Sequence, residues 1–95
     1  MGERIGLLKE AYSLLLNIES RLNEFDDYES KINKIIIDEA NKYIIIEDVF
    51  GSKIYYELCD CYTSFIKSAK RYKDAEINRN YERLKKISLK AEVLY

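Results

Sequence analysis

Cys59 and Cys61, two residues apart, are the side chains of this sequence best suited to hold a metal or exchange electrons. A structural zinc site takes four nitrogen or sulfur ligands, and the chain has two thiols and no histidine. On a helix, positions two apart diverge by about 200°, so a cluster would need two chains to share it. The pair reads as two small apolar packing residues in a reducing compartment, too few for a disulfide framework. The other chemically suggestive groups are the acidic pairs Asp26-Asp27, Asp38-Glu39 and Glu47-Asp48. General acid–base work needs carboxylates that converge on one cleft, and helical neighbours diverge by about 100°. Helix caps and solvated faces account for them. The absence of histidine also excludes His-assisted Ser or Cys nucleophiles and the Glu-x-x-His motifs of di-iron bundles. With glycine only at Gly2, Gly6 and Gly51 there is no phosphate-binding loop. No catalytic, cofactor-binding or metal-ligating residue follows, no small-molecule substrate is implied, and an enzyme is not expected.

What remains is surface. Residues 62–95 carry nine basic and four acidic side chains, net +5, whereas residues 1–61 carry seven and thirteen, net −6. Either the two halves pack side by side and neutralise each other, or the basic segment faces an anionic partner such as nucleic acid. In the second case Lys67, Lys70, Arg71, Arg79, Lys85 and Lys86, interleaved with Tyr72 and Tyr81, would touch the phosphates. Self-pairing of Glu82 with Lys85 or Lys86, and of Glu76 with Arg79, works against this. Nine tyrosines in 95 residues suggest core packing or a protein interface, because Tyr buries a ring and keeps a polar tip. An interface would draw on Tyr43, Ile45, Tyr55, Tyr56 and Tyr62.

The elements that position these groups read as helices. Leu8, Ala11, Leu15, Ile18, Leu22 and Phe25 step by three and four, which predicts a helix from about Arg4 to Glu24. Asp26 with Glu29 has the form of a capping box for a second helix, whose buried face would be Tyr28, Ile32, Ile35, Ile36, Ala40 and Tyr43. Residues 43–59 allow two readings. As strands, Ile44–Phe50 and Lys53–Leu58 flank a Gly51-Ser52 turn. As helices, Gly51 ends one and Ser52 caps the next. The helical reading is preferred, because a lone hairpin needs a partner layer that so short a chain barely supplies. Ile66, Ala69, Ile77, Tyr81, Leu84, Ser88, Ala91 and Tyr95 then form the stripe of a long C-terminal helix, either continuous from Ser52 or broken between Asp74 and Asn80.

One domain over 1–95 follows from the length, and hydrophobic residues at 47% with charged residues at 35% are globular values. The lack of Pro, His, Trp and Gln, beside many Lys and Glu, matches the trend of thermophile proteins. The opening Met1-Gly2-Glu3-Arg4-Ile5-Gly6 lacks the apolar core of a signal peptide and does not fit a myristoylation signal. No apolar run approaches the roughly 20 residues that span a bilayer. A soluble, cytoplasmic protein with no membrane partner is expected.

Residues 81–95, ending in Lys90-Ala91-Glu92-Val93-Leu94-Tyr95, resemble the last helix of microtubule-interacting-and-trafficking domains. The preceding chain lacks the Gly-Asn-Tyr turn and alanine-rich second helix of those domains, so no family assignment follows. The sequence therefore leads to an all-α bundle of three or four helices with a long last helix, or, as a minor alternative, an α+β fold with a hairpin near 43–59. Its expected role is a non-catalytic interaction module, an accessory subunit or adaptor that binds a protein or itself. Nucleic-acid binding through the basic helix is the alternative.

Overall fold

Short runs rich in β-branched side chains can satisfy a helical or a strand period, and here the strand period wins. The computed structural model describes residues 2–60 and 71–94. In chain order these form helix α1 (Gly2–Leu22), strands β1 (Ile32–Asp38), β2 (Tyr43–Asp48) and β3 (Lys53–Glu57), a 3₁₀ turn at Leu58–Asp60, and helix α2 (Ala75–Leu94). The strands make one antiparallel sheet in the order β1-β2-β3. The expected all-α bundle is thus overturned: the fold is α+β, and the minor alternative of a hairpin inside 43–59 describes β2 and β3.

The second helix expected from Tyr28 does not form. Asn23 to Asp27 are turn and bend, and the chain then runs extended into β1. The two isoleucine triplets lie side by side, Ile35 against Ile46, Ile36 against Ile45 and Ile37 against Ile44. Cross-strand contact between β-branched side chains is what stabilises such a pair. A third strand and two helices supply the partner layers whose absence would argue against a hairpin.

Both connections are tight. Asp38 Oδ1 accepts the Asn41 N–H at 3.1 Å and its Oδ2 accepts the Asn41 amide at 3.0 Å, while Lys42 takes a positive φ of 64°. Between β2 and β3 the loop is four residues, not the two of a Gly51-Ser52 turn. Asp48 Oδ1 accepts from the N–H groups of Phe50 and Ser52, each at 2.9 Å, and Gly51 adopts φ 88°, where a side chain would be strained.

Helix α1 packs on one face of the sheet, against β1 and β2, and α2 packs on α1 and on the 3₁₀ turn. The stripe Leu8, Ala11, Leu15, Ile18 and Leu22 of α1 is buried, as are Ile77, Leu84, Ile87, Ser88 and Ala91 of α2. These residues join Ile35, Ile44, Ile46 and Leu58 in one core. Cross-links of α1 to α2 run Glu3–Lys90 at 3.0 Å, Glu10–Arg83 at 2.5 and 2.8 Å, and Arg21–Asp74 at 2.8 and 3.2 Å, so the helices are antiparallel. Two of these pairs, Glu3–Lys90 and Glu10–Arg83, join the acidic and basic halves of the sequence, whereas Arg21–Asp74 runs in the opposite sense. The C-terminal helix is not continuous from Ser52. Asp74 starts it, its Oδ2 accepting the Ile77 N–H at 3.0 Å, as an N-cap does. Arg21 and that backbone bond hold the Asp74 carboxyl below its usual pKa.

Candidate docking face of the sheet

Successive strand residues point to opposite faces. Ile35, Ile37, Ile44, Ile46 and Tyr56 meet the helices or the core they form. Their neighbours in the chain build the other face, and the register aligns these in three rows. Lys34, Glu47 and Lys53 make one outer row; Asp38, Tyr43 and Glu57 make the opposite one. Between them lies an apolar row, Ile36, Ile45 and Tyr55. Ile45 is only 8% exposed yet is no part of the core under the helices. Tyr55 is 56% exposed, and its ring stands edge-on to Tyr43 with centroids 5.8 Å apart.

The charges on this face are partly engaged within it. Glu47 lies 4.0 Å from Lys34 and 3.9 Å from Lys53, both at the outer limit of an ion pair, and accepts the Asn33 amide at 2.7 Å. Hydrogen bonds from the Asn41 side chain and backbone lower the pKa of Asp38.

The structure separates the residues singled out in the sequence. Tyr43, Ile45 and Tyr55 come together on the open face. Tyr56, half-buried, packs on the opposite side against the core. Tyr62 lies outside the described residues, as do Cys61, Lys67 and Lys70. Arg71 stands before α2 with its guanidinium 5.9 Å over the Tyr72 ring. Arg79, Lys85 and Lys86 are exposed on α2 and make no ion pair among the described residues, and Glu76 turns to Arg21 at 3.6 Å, not to Arg79. Tyr81 packs against the core. Sequence reasoning missed Lys34, Ile36, Asp38, Glu47, Lys53 and Glu57 as members of one surface. Their signal was a period of two, written three times as polar, apolar, polar at every second residue, with Tyr43 the one ring in a charged row.

Other groupings offer less. The ligand atoms of Glu57, Cys59 and Asp60 lie within 4.8 Å of one another. Burial, with the negative charges of Asp60 and Glu57, pushes the Cys59 thiol up, which disfavours the thiolate that a metal needs. Hollows of about 460 and 490 Å³ flank Tyr72. The first contains Asp74, already committed to Arg21 and to the start of α2. Burial, helped by a 2.9 Å hydrogen bond donated to Glu19, raises the Tyr28 hydroxyl to about 12. No described helix is long and apolar enough to cross a membrane. Comparison with protein-family models, curated proteins and solved structures finds no match for this chain.

Proposed function

We propose that this chain is a non-catalytic protein–protein interaction module, an accessory subunit or adaptor working in the cytoplasm, and that it docks through the open face of its sheet. The observation that carries this reading is the row Ile36, Ile45 and Tyr55. An antiparallel sheet with one face in the core normally alternates to polar residues on its wet face. Here all three strands place an apolar side chain at the centre of that face and charges at its rim, which is the anatomy of a docking patch. A non-catalytic role fits the carboxylates of the acidic pairs in the sheet, which serve the turns or the lysine row: Asp38 binds Asn41, Asp48 closes the hairpin and Glu47 lies between two lysines.

Site-specific photo-crosslinking in cells tests it. A photoreactive residue replacing Tyr55 should yield protein adducts, and the same residue replacing Lys86 on α2 should not. Adducts from 86 alone would refute docking by the sheet.

A second reading has one observation in its favour, Arg79, Lys85 and Lys86, which are exposed and make no ion pair among the described residues. If α2 binds nucleic acid, Lys85→Glu with Lys86→Glu weakens binding to a DNA duplex, and affinity falls steeply with salt. Salt-independent binding would exclude phosphate contacts.

A further inference from the structure

We infer that the partner of the open sheet face is a second copy of this chain, related by a two-fold axis that runs along the row Ile36-Ile45-Tyr55. This rests on the docking reading above and adds the identity and the orientation of the partner.

The inference comes from how the rows map onto themselves. Two sheets packed face to face must be related by an axis lying between them, and two choices respect the strands. An axis along the strands would stack Lys34 on Lys53, Glu47 on its own copy and Asp38 on Glu57. Every charged contact at the rim would then be between like charges. An axis along the middle row instead reverses the strand direction and lays one outer row over the other. Lys34 then faces Asp38 of the second copy, Lys53 faces Glu57, and Glu47 faces the hydroxyl of Tyr43, which can donate to it. By symmetry each contact occurs twice. Ile36, Ile45 and Tyr55 meet their own copies in the dry centre.

The dimensions allow these contacts. Outer rows lie four residues apart on each strand, about 13 Å, and neighbouring strands about 4.8 Å apart. Packed sheets turn by about 30° relative to each other, which displaces a corner residue of such a grid by only about 4 Å. A lysine stem spans that offset. Lys34 and Lys53 are free to do so: their side chains are 56% and 46% exposed, and Glu47 holds them only at 4.0 and 3.9 Å. The patch is small beside the roughly 800 Å² that each partner contributes to a standard interface. Association should therefore be in the micromolar range and visible on dilution.

Sedimentation of the full chain over a micromolar dilution series, with two single variants, decides the matter. The unmodified protein should shift from dimer to monomer on dilution, and earlier at high salt. Lys53→Glu alone sets carboxylate against carboxylate where positions 53 and 57 meet, and it does so twice in the dimer. Glu57→Lys alone sets ammonium against ammonium at the same two places. Each should weaken dimerisation by about tenfold or more. Mixed in equal amounts, the two should form a heterodimer as tight as the original, because both contacts are again between opposite charges. Both positions are exposed and leave the core untouched, and circular dichroism checks that each variant folds; should one not, the salt response of the unmodified protein still decides. A monomer at every concentration overturns the inference. So does a dimer indifferent to both variants and to salt, or a mixture that fails to recover. Protein adducts from position 55 that contain only other proteins would overturn self-pairing while leaving the docking module standing. A dimer indifferent to both variants, with no adduct at position 55, would remove both.

Discussion

Lys42 shows what a single position contributes that its side chain does not announce. It holds a φ of 64° in the turn between β1 and β2, a conformation costing an L-residue roughly 1–2 kcal/mol. Lys42→Gly should remove that strain and give back part of the gain as unfolded-chain entropy. A net stabilisation of about 0.5–1 kcal/mol is expected, raising the melting temperature by a few degrees; an unchanged or lower midpoint would show that Lys42 serves the turn in some other way. No Gly, Pro or Asn-Gly marks this turn, so the sequence reads Glu39 to Lys42 as part of a helix. At Asp74 the local signal is readable, since Asp competes with helix interior and favours caps, but its tie to Arg21, 53 residues away, is not. The folded pKa of Asp74 is lowered, so its contribution is complete above the unfolded value near 4 and is lost as pH falls through the folded one. Asp74→Asn keeps a capping side chain and deletes the charge. It should lower the melting temperature at pH 7, and the gap to the unmodified protein should close in acid. A gap that persists in acid strong enough to protonate the folded Asp74 carboxyl as well would mean that the ion pair is not its source.

Among the elements, α1 and α2 are legible in the sequence, β2 and β3 only as the minor reading of 43–59, and β1 not at all. Leu8, Ala11, Leu15, Ile18 and Leu22 fit only a period near 3.6, as do Ile77, Leu84, Ser88 and Ala91. Ile35-Ile36-Ile37 and Ile44-Ile45-Ile46 fit any period, because a continuous apolar run has apolar members wherever a helix or a strand would want them. What settles them is long-range: each triplet finds the other at matching register, a pairing no local window contains. The open face is hidden for the same reason. Tyr55 and Tyr56 belong to opposite faces, so grouping them as one surface mixes docking with packing. Tyr56→Ala should destabilise the fold, while Tyr55→Ala should affect assembly and leave the fold intact; comparing thermal melts of the two checks this. Between elements, Ser88 joins α2 to the 3₁₀ turn. Its hydroxyl donates to the Cys59 carbonyl, and the residue is 1% exposed. Ser88→Ala should cost about 1–3 kcal/mol by leaving that carbonyl unsatisfied, read from denaturant melts. A change below about 0.5 kcal/mol would mean that water or another donor replaces it.

At the scale of the whole molecule, stability rests on a core shared by three layers of contact: α1, α2 and the inner side of the sheet. Leu15, with no exposed surface, lies among them, and Leu15→Ala should cost about 2–5 kcal/mol. Deleting the exposed pair of Glu10 and Arg83 should cost less than about 1 kcal/mol, since surface ion pairs return little. A ranking in the opposite order, measured in one denaturant series, would contradict a fold held mainly by apolar burial. The antiparallel closure of α1 on α2 also has a temporal meaning. Glu3 meets Lys90 and Glu10 meets Arg83, so the pairs that join the two helices lie far apart in sequence, 73 residues for Glu10 and Arg83. A growing polypeptide leaving the ribosome would have α1 and the three strands in hand, with the apolar stripe of α1 and the 3₁₀ turn still awaiting α2. Such widely separated contacts slow folding and leave apolar surface open in the meantime, and for this protein α2 must have been made before the core can be sealed.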